Sequence, residues 1–310
     1  MPYDKIVLVT RKTRLEGLIE RFNTRGQARF YITHSGGDFD FYEREHETYY
    51  QAVAQLRQSL HSLAKLHEIE REFLPNFLFA REDLVVTIGI DGLVVNTAKY
   101  LDGQPLLAVN PDPAHVDGVL LPFTVSQAAG AARQALRGEF RTRQIRMAEA
   151  CLNDGQALLA FNDLFIGVRS HLSARYRIEH AGRTEEHSSS GVIVATGAGS
   201  TGWLSSLFNM AEGMARQFLG EAQAPFRRPQ LDWESDRLMF VVREPFVSKT
   251  SGAAIVCGMI SADAPLQLES HIPEGGVIFS DGIETDYLAF NAGSAATIGL
   301  AARKTNLVVA

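Results

Sequence analysis

The sequence predicts an α/β domain with a parallel sheet over residues 1–140, followed by a β-rich domain over residues 141–290. Three observations predict this fold class. The length of 310 residues suits two domains or one large one. In the first part of the chain, apolar runs alternate with stretches of helical spacing, which is typical of a parallel sheet covered by helices. In the second part, short β-type runs follow one another and are separated by turn residues.

The N-terminal part divides into predicted strands and helices. The strands are short apolar runs, whereas the helices carry apolar residues three or four positions apart, and two of them end at glycine. A long charged helix is expected because Tyr49, Ala52, Leu56 and Leu60 recur at helical spacing. In chain order, the elements are a strand at 5–10, a helix at 14–26, a strand at 28–35, a helix at 42–74, strands at 83–89 and 105–111, and a helix at 124–138.

The second part contains seven β-type runs and one predicted helix, and the domain boundary is expected at 138–148. Turn residues separate the runs, and no repeat or long linker interrupts them. The runs lie at 156–168, 174–182, 191–197, 237–244, 253–260, 264–271 and 275–282, and the helix lies at 204–219.

The composition favours a protein with a buried core and argues against a nucleic-acid partner. The chain is 45% hydrophobic and 21% charged, and its net charge is −6. Binding to a phosphate backbone needs clustered Lys and Arg. One arginine cluster, formed by Arg137, Arg141, Arg143 and Arg146, is interpreted as a solvated face.

Cysteine usage and hydropathy predict a cytoplasmic protein. Cys151 and Cys257 are far apart and form no CxxC pair, so the sequence predicts neither a zinc site nor a redox site. The N-terminal apolar run is short and lacks a small-residue cleavage site, and no run of about 18 apolar residues occurs. We therefore expect no signal peptide and no membrane span.

The sequence GIDG at 89–92 follows a predicted strand and precedes a helix-like run. Ligands of open parallel sheets bind beyond the carboxyl ends of strands, where Gly89 and Gly92 would let the backbone approach phosphates. Asp91 would be able to accept a proton from an attacking hydroxyl or help to place a metal. Taken alone, these four residues favour the alternative of an aspartate that caps a helix after a tight turn.

Three further stretches accompany GIDG: AVNPDP at 108–113, FNDLFIG at 161–167 and GVIVATGAGSTGWLSS at 191–206. In this order and at these spacings, the four stretches resemble the NAD kinase superfamily. The usual elements of that family are a GGDG loop, a GVN segment, an Asn–Glu/Asp pair and a TPTGST-type loop. The chain is most similar to the mitochondrial-type NAD kinases, which also resemble it in RKTRLE at 11–16 and in REPFVSKTSGA at 243–253.

The resemblance implies a fold, an activity and partners. The family has an N-terminal α/β domain, a C-terminal β-rich domain, an active site between them and a final segment, here 291–310, that returns to the first domain. Its members phosphorylate the 2′-hydroxyl of the adenosine ribose in NAD, using ATP or polyphosphate with Mg²⁺. We therefore expect NAD and a phosphate donor as partners, Mg²⁺ as a cofactor without protein ligands evident from spacing, and a homodimer or homotetramer.

The resemblance also assigns roles to residues of the first domain. Asp91 would accept the ribose hydroxyl proton and orient that oxygen. Gly89 and Gly92 would let backbone amides reach the donor phosphates. Lys12 and Arg14 would face the phosphates from the end of the first strand, although both residues fit a solvated loop equally well.

In the second domain, the resemblance identifies an Asn–Asp pair and a loop of small residues that would hold NAD. A carboxylate beside an amide offers acceptors and donors to a ribose diol or an adenine edge, and it also fits a β-turn or bulge. The loop would allow close backbone approach, or it would be a plain strand-to-helix connection capped by Thr201. Trp203 is interpreted as a packing residue and Asn110 as a brace for the neighbouring loop. The residues assigned to NAD are Asn162, Asp163, Thr196, Ser200, Thr201, Gly202 and Ser205.

Two residues depart from the family pattern at the GIDG turn. Ile90 stands where the family has a second glycine, and Leu93 stands where it usually has Thr. A β-branched residue adopts positive φ only at a cost, so Ile90 predicts weaker donor binding if that conformation is required. Three functions therefore stay open: phosphorylation of NAD, dinucleotide binding without turnover, and phosphorylation of a sugar or lipid hydroxyl.

Overall fold

The computed structural model describes residues 2–219 and 228–309. The chain forms two compact units. Unit 1 consists of the residues up to Arg143 together with those from Thr305 onward, and unit 2 consists of Gln144–Lys304. The chain therefore passes from one unit to the other twice.

Unit 1 is an α/β unit with a parallel sheet, which confirms the predicted fold class for this part of the chain. The strand order is β2-β1-β3-β4, with β5 and the end of β17 paired to β4, and every one of these pairs is parallel. The elements are β1 (Lys5–Thr10), α1 (Arg14–Phe22), α2 (Arg25–His34), α3 (Phe39–His61), β2 (Lys65–Glu70), a 3₁₀ helix (Arg71–Asn76), β3 (Asp83–Ile88), α4 (Asp91–Ala98), β4 (Pro105–Asn110), β5 (Phe123–Thr124) and α5 (Val125–Leu136), followed later by the end of β17 (Ala295–Val309).

The core of unit 1 lies between this sheet and helices α3 and α5. Every residue of β3 and β4 is buried, as expected for strands covered on both faces. Tyr49, Val53, Leu56 and Leu60 of α3 pack in the same cluster as the strand residues. This packing places the carboxyl ends of β1, β3 and β4 at one edge of the sheet, because parallel strands end on the same side.

The predicted strand at 28–35 is wrong, because residues 28–34 belong to helix α2 and Ser35 caps its end. The Thr24 side chain caps the helix by accepting a hydrogen bond from the backbone N–H of Gln27. Ala28 and Ile32, four residues apart, are buried on one face. The aromatic and β-branched composition indicated a strand, but the capping residue and the helical spacing decide the structure.

The boundaries of two predicted helices also differ. Helix α1 ends at Phe22, because Asn23 takes the left-handed conformation at φ 65° in place of the predicted glycine stop. Helix α3 ends at His61, and Lys65–Glu70 pairs with β1 as a parallel strand that the sequence did not predict. In that strand only Ile69 is buried, so an edge strand of this kind has no apolar run to reveal it.

Unit 2 is the predicted β-rich part. Six of its strands form one sheet in the order β13-β12-β11-β8-β15-β16, and every neighbouring pair in this sheet is antiparallel. The elements are β6 (Arg141–Leu152), β7 (Ala157–Ala160), β8 (Asp163–Val168), β9 (Ala174–His180), β10 (Arg183–Ser189), β11 (Val192–Ala195), a 3₁₀ helix (Ala198–Thr201), α6 (Trp203–Leu219), β12 (Leu238–Val242), β13 (Cys257–Ile260), β14 (Leu266–Ser270), β15 (Gly276–Ser280), β16 (Ile283–Ala289) and the first part of β17.

Strand β8 shows how the six-stranded sheet is buried on both faces. Leu164 and Ile166 point into the main core cluster of unit 2. Phe165 points to the opposite face, where it packs with Trp203 and Leu207 of α6. In the ranges 2–219 and 228–309, no helix combines the length and the hydropathy that a membrane span needs.

Candidate functional site

The GIDG turn joins the end of β3 to the start of α4 in unit 1. Ile90 has φ −110° and ψ 166°, an extended backbone that a β-branched residue adopts without strain. Its side chain is 42% exposed. The expected conformational cost of Ile90 is therefore absent from this structure, and only its bulk distinguishes it from glycine.

The Asp91 carboxylate is held by the loop that follows β4. Its Oδ1 accepts a hydrogen bond from the backbone N–H of Leu120 at 2.9 Å, and its Oδ2 accepts one from Val119 at 3.2 Å. Asp91 is the first residue of α4, and Ile90 occupies the capping position without a side-chain hydrogen bond. The alternative in which Asp91 caps the helix is therefore wrong.

Asn110 holds the same loop from its other end, which confirms its predicted bracing role. Its Nδ2 donates to the carbonyl of Val116, and its Oδ1 accepts from the backbone N–H of Asp112, both at 2.9 Å. Gly118, at φ 59°, packs so closely against Asn110 that a side chain there would collide with the amide. Asn110 and Asp91 together fix the loop between β4 and β5.

Lys12 and Arg14 are paired with carboxylates of their own unit. Lys12 Nζ lies 2.8 Å from Glu20 and 3.2 Å from Glu72, and these hydrogen bonds raise the pKa of Lys12 above its ordinary value. Arg14 Nε lies 2.7 Å from Glu45. Phosphate binding by either cation would compete with these pairs.

Arg11, which the sequence analysis did not single out, lies beside the GIDG turn. A Cβ atom at Gly89 would lie 3.3 Å from Arg11 Nε, and this nitrogen is buried without a hydrogen-bond partner among the described residues. The backbone N–H of Arg11 donates to Tyr49 Oη at 2.9 Å, and that hydroxyl donates to the carbonyl of Ile88 at 3.3 Å. Burial raises the pKa of Tyr49 to about 12, so the hydroxyl keeps its proton.

In unit 2, the Asn162–Asp163 turn between β7 and β8 is fixed by the carboxylate of Asp281. Asp281 Oδ1 accepts from the backbone N–H of Asn162 at 2.6 Å and of Asp163 at 3.3 Å, and Oδ2 accepts from Phe161 at 3.1 Å. The backbone N–H of Asp281 donates in return to the carbonyl of Asp163 at 2.9 Å. Asp281 has φ 55°, a conformation that costs a non-glycine residue free energy.

The loop of small residues packs directly against this turn. Thr196 Oγ1 donates to the carbonyl of Phe161 at 2.6 Å and accepts from the backbone N–H of Gly199 at 3.1 Å. The backbone N–H of Thr196 donates to the carbonyl of Asn162 at 2.9 Å. A Cβ atom at Gly199 would overlap with that same carbonyl oxygen, so only glycine fits there.

The other predicted NAD-binding residues lie further along this loop. Ser200 Oγ donates to the carbonyl of Gly197 at 2.7 Å, and Ser205 Oγ lies 2.8 Å from the carbonyls of both Thr201 and Gly202. The residue before α6 is Gly202, so the alternative in which Thr201 caps that helix is wrong. Thr201 and Gly202 are exposed, and they are available to a ligand.

The protonation of Asp163 differs from that of an ordinary carboxyl. Burial, together with the charge of Asp281, raises the pKa of Asp163 to about 7. When it is protonated, the carboxyl is therefore able to donate one hydrogen bond and still to accept others. When it is ionised, it is an acceptor only. The structure thus brings Asn162, Asp163, Thr196 and Gly199 together in one preorganised cluster.

A cavity of about 670 Å³ opens on the α6 side of the six-stranded sheet in unit 2. Its wall includes Trp203, which stacks on Phe165 at 5.8 Å with an interplanar angle of 9°, and Arg243, whose guanidinium lies 5.5 Å from the indole centroid. This stacking confirms Trp203 as a packing residue. Arg169 and Glu284 line the same cavity, so its charges are mixed.

Of the two residues that the sequence analysis missed, Arg11 had a local signal in the sequence and Asp281 had none that was specific. Arg11 is the first cation after the first strand, one position before Lys12. Asp281 lies in an SDG turn between two β-type runs, 118 residues after Asp163. A turn aspartate has many structural uses, so its partnership with a distant turn becomes visible only in the fold.

Comparison with known proteins identifies the fold. No protein-family model matches the chain, and no curated protein matches it either. Among solved structures, an NAD kinase from Archaeoglobus fulgidus in complex with ATP is 16% identical, with a TM-score of 0.56 over 97% of this chain and 92% of that chain. Yeast NADH kinase complexed with NADH is 14% identical, with a TM-score of 0.59 over 99% of this chain and 84% of that chain. The chain therefore has the NAD kinase fold.

Proposed function

We propose that this chain, built on the NAD kinase fold, is a phosphotransferase that moves a phosphoryl group from ATP or polyphosphate to the 2′-hydroxyl of the adenosine ribose of NAD, giving NADP. The observation that carries the proposal is the extent of the likeness, which covers 97% and 99% of the chain in two comparisons. The four motifs that resemble the family stand in the same order along the sequence. Similarity to the mitochondrial-type enzymes is part of the same proposal.

In this proposal Asp91 accepts the proton of the ribose hydroxyl while the new oxygen–phosphorus bond forms and the bond to the leaving phosphate breaks. An ionised carboxylate offers about four lone-pair sites, and the amides of Val119 and Leu120 occupy two of them. The remaining sites are available to the ribose hydroxyl. The two amide hydrogen bonds hold the carboxylate in one orientation, which favours a fixed geometry for proton transfer.

In this proposal Gly89, Gly92, Lys12 and Arg14 bind the donor, and we add Arg11 to this set. The buried Nε of Arg11 offers a hydrogen bond that the described residues leave unused. Mg²⁺ generally binds through phosphate oxygens, several waters and one or two carboxylates. Asp91 is the carboxylate at the turn, so it would be the residue to approach such an ion, whose role is to neutralise the phosphate charge.

NAD binding is assigned to the cluster around Asn162 and Asp163 with the loop from Thr196 to Ser205. The amide of Asn162 and the carboxyl of Asp163 would recognise a ribose diol or an adenine edge. The exposed Thr201 and Gly202 would approach the nucleotide through hydroxyl and backbone groups. The hydrogen bond that Thr196 donates and those that Asp281 accepts support the proposal, because they fix this cluster before a ligand arrives.

A second candidate function is dinucleotide binding without turnover. Two observations favour it: Leu93 is buried and provides no hydroxyl, and the charge of Lys12 is engaged by Glu20 and Glu72. Both features would weaken binding of the phosphate donor, and neither involves the residues assigned to NAD.

NADP formation and NAD affinity, measured on the same purified protein, separate the two candidates. NADP formation is followed with ATP and with polyphosphate, each with Mg²⁺ and with Mn²⁺, and NAD affinity is measured by calorimetry. Turnover supports the kinase. Binding without turnover under all four conditions supports the second candidate, and the absence of both contradicts both. A cytoplasmic location and a homodimer or homotetramer belong to the same proposal, and light scattering after gel filtration tests the oligomer.

A further inference from the structure

The carboxylate of Asp281 accepts hydrogen bonds from three consecutive backbone N–H groups, those of Phe161, Asn162 and Asp163. Charge-assisted hydrogen bonds of this kind are stronger than those between neutral groups. The residue reaches them from a β-hairpin turn while it holds the left-handed conformation at φ 55°. A non-glycine residue keeps such a conformation only where the surrounding contacts require it.

We propose that Asp281 is a positioning residue for the dinucleotide: its carboxylate fixes the Asn162–Asp163 turn through three backbone hydrogen bonds, and its negative charge acts on the Asp163 carboxyl. The expected consequence is that dinucleotide binding depends on pH. This inference rests on the proposed function. It adds a residue, and a protonation state, that the sequence motifs do not contain.

The surroundings of Asp163 single out Asp281 as the charge that acts on it. Strand β11, strand β15, the 3₁₀ helix Ala198–Thr201 and the first turn of α6 contain no charged residue. The β15–β16 hairpin contributes Asp281 at its turn, and its next charged residue, Glu284, lines the cavity beside Trp203. Burial and the charge of Asp281, in that order, raise the pKa of Asp163 to about 7.

The chemistry of a ribose diol decides the direction of the pH dependence. Ionised Asp163 accepts hydrogen bonds from two hydroxyls, whereas protonated Asp163 has lost part of that acceptor capacity. A diol therefore binds the ionised form more tightly, and binding releases the proton. Affinity should weaken as the pH falls below about 7, the pKa of Asp163 in the folded protein.

The first measurement needs no nucleotide. The carboxyl ¹³C resonance of Asp163 is titrated in wild type, in Asp281→Asn and in Asp263→Asn, a matched exposed aspartate of the same unit. Removal of a neighbouring like charge should lower the midpoint in Asp281→Asn by roughly one pH unit. Asp263→Asn should leave it unchanged. An unchanged midpoint in folded Asp281→Asn overturns the inference.

The second measurement is NAD affinity at pH 6 and pH 8. Wild type should bind roughly tenfold more weakly at pH 6, because one proton must be displaced. Asp281→Asn should show a smaller difference in NAD affinity between pH 6 and pH 8. In Asp163→Asn the NAD affinity should be the same at both pH values. If Asp281→Asn does not fold, Asp163→Asn decides: a flat profile supports the inference, and a tenfold ratio overturns it.

The two measurements also separate this inference from the proposed function. A shifted Asp163 midpoint without NAD binding at either pH contradicts the proposed function and the dinucleotide role of Asp281, while the electrostatic link to Asp163 stands. NAD binding with an unshifted midpoint contradicts the role of Asp281 alone.

Discussion

Asp91 Oδ1 accepts a 2.9 Å hydrogen bond from the backbone N–H of Leu120, which lies 29 residues further along the chain. The same carboxylate therefore has two tasks in the proposed kinase. It would receive a proton from the substrate, and its hydrogen bonds to backbone N–H groups hold the loop after β4 in place. A substitution at this position affects both tasks, and the choice of substitution separates them.

Asp91→Asn should lower kcat for NADP formation by at least about 100-fold, the range associated with losing a general base. The amide oxygen still accepts one backbone N–H, so the free energy of unfolding should fall by only about 1 kcal/mol. Steady-state kinetics and urea unfolding check the two effects. A kinetic loss of less than threefold would contradict the assigned role, and a large loss of stability would reveal a mainly structural carboxylate.

Ile90→Gly should lower the free energy of unfolding by roughly 0.5–1 kcal/mol, because Ile90 has an unstrained extended backbone and glycine adds only chain entropy. If the bulk of Ile90 obstructs the donor, the same variant should lower the KM for ATP. Thermal unfolding and initial rates against ATP concentration measure the two effects. If Ile90→Gly were more stable than the wild type, Ile90 would be strained in the folded protein, which would contradict the extended backbone observed there.

Asp163→Asn should stabilise the protein at pH 8 and not at pH 4.5. The pKa of Asp163 is raised from 3.8 to about 7 in the folded state, so the folded protein keeps a proton that the unfolded chain has lost between these values. Stability therefore falls as the pH rises through this window, and asparagine removes that loss. The gain at pH 8 should be roughly 1–4 kcal/mol, read from urea unfolding at both pH values. An equal effect at both would contradict the shifted pKa, and Asp263→Asn provides the exposed control.

Gly199→Ala should abolish measurable NAD binding and lower the free energy of unfolding by about 2 kcal/mol or more, because the new methyl group overlaps with the carbonyl of Asn162. Gly213→Ala in α6 is the matched control. No atom lies within 4 Å of that methyl position, and alanine is the better helix former, so a gain of up to about 1 kcal/mol is expected. Calorimetry and thermal unfolding of both variants test the contrast. Normal NAD binding by Gly199→Ala would exclude a role for this close packing.

The elements that the sequence predicted well are those whose burial is uniform. Strands β3 and β4 are buried at every position, and their apolar runs reveal them directly. Helix α2 was missed because its aromatic residues suggested a strand while the spacing of Ala28 and Ile32 determined a helix. Strand β2 was missed because an edge strand exposes most of its side chains.

The candidate site divides in the same way between local and distant determinants. Asp91, Asn162 and Asp163 belong to short motifs and were visible in the sequence. Asp281 was not, because its function depends on amides 118 to 120 residues away. The pairing of Lys12 with Glu20 and Glu72 was equally hidden, since three separate elements bring those charges together.

The double passage of the chain between its units has a consequence for protein synthesis. The end of β17 pairs with β4, and Asn306 Nδ2 donates to the carbonyl of Gly103, 203 residues earlier. At a translation rate of roughly 5–20 residues per second, β1 to β4 leave the ribosome about 10–40 s before this last partner exists. Throughout that interval the β4 edge at Pro105 and Leu106 lacks its partner strand, and this part of the sheet is where a chaperone or an aggregating neighbour would meet the nascent chain.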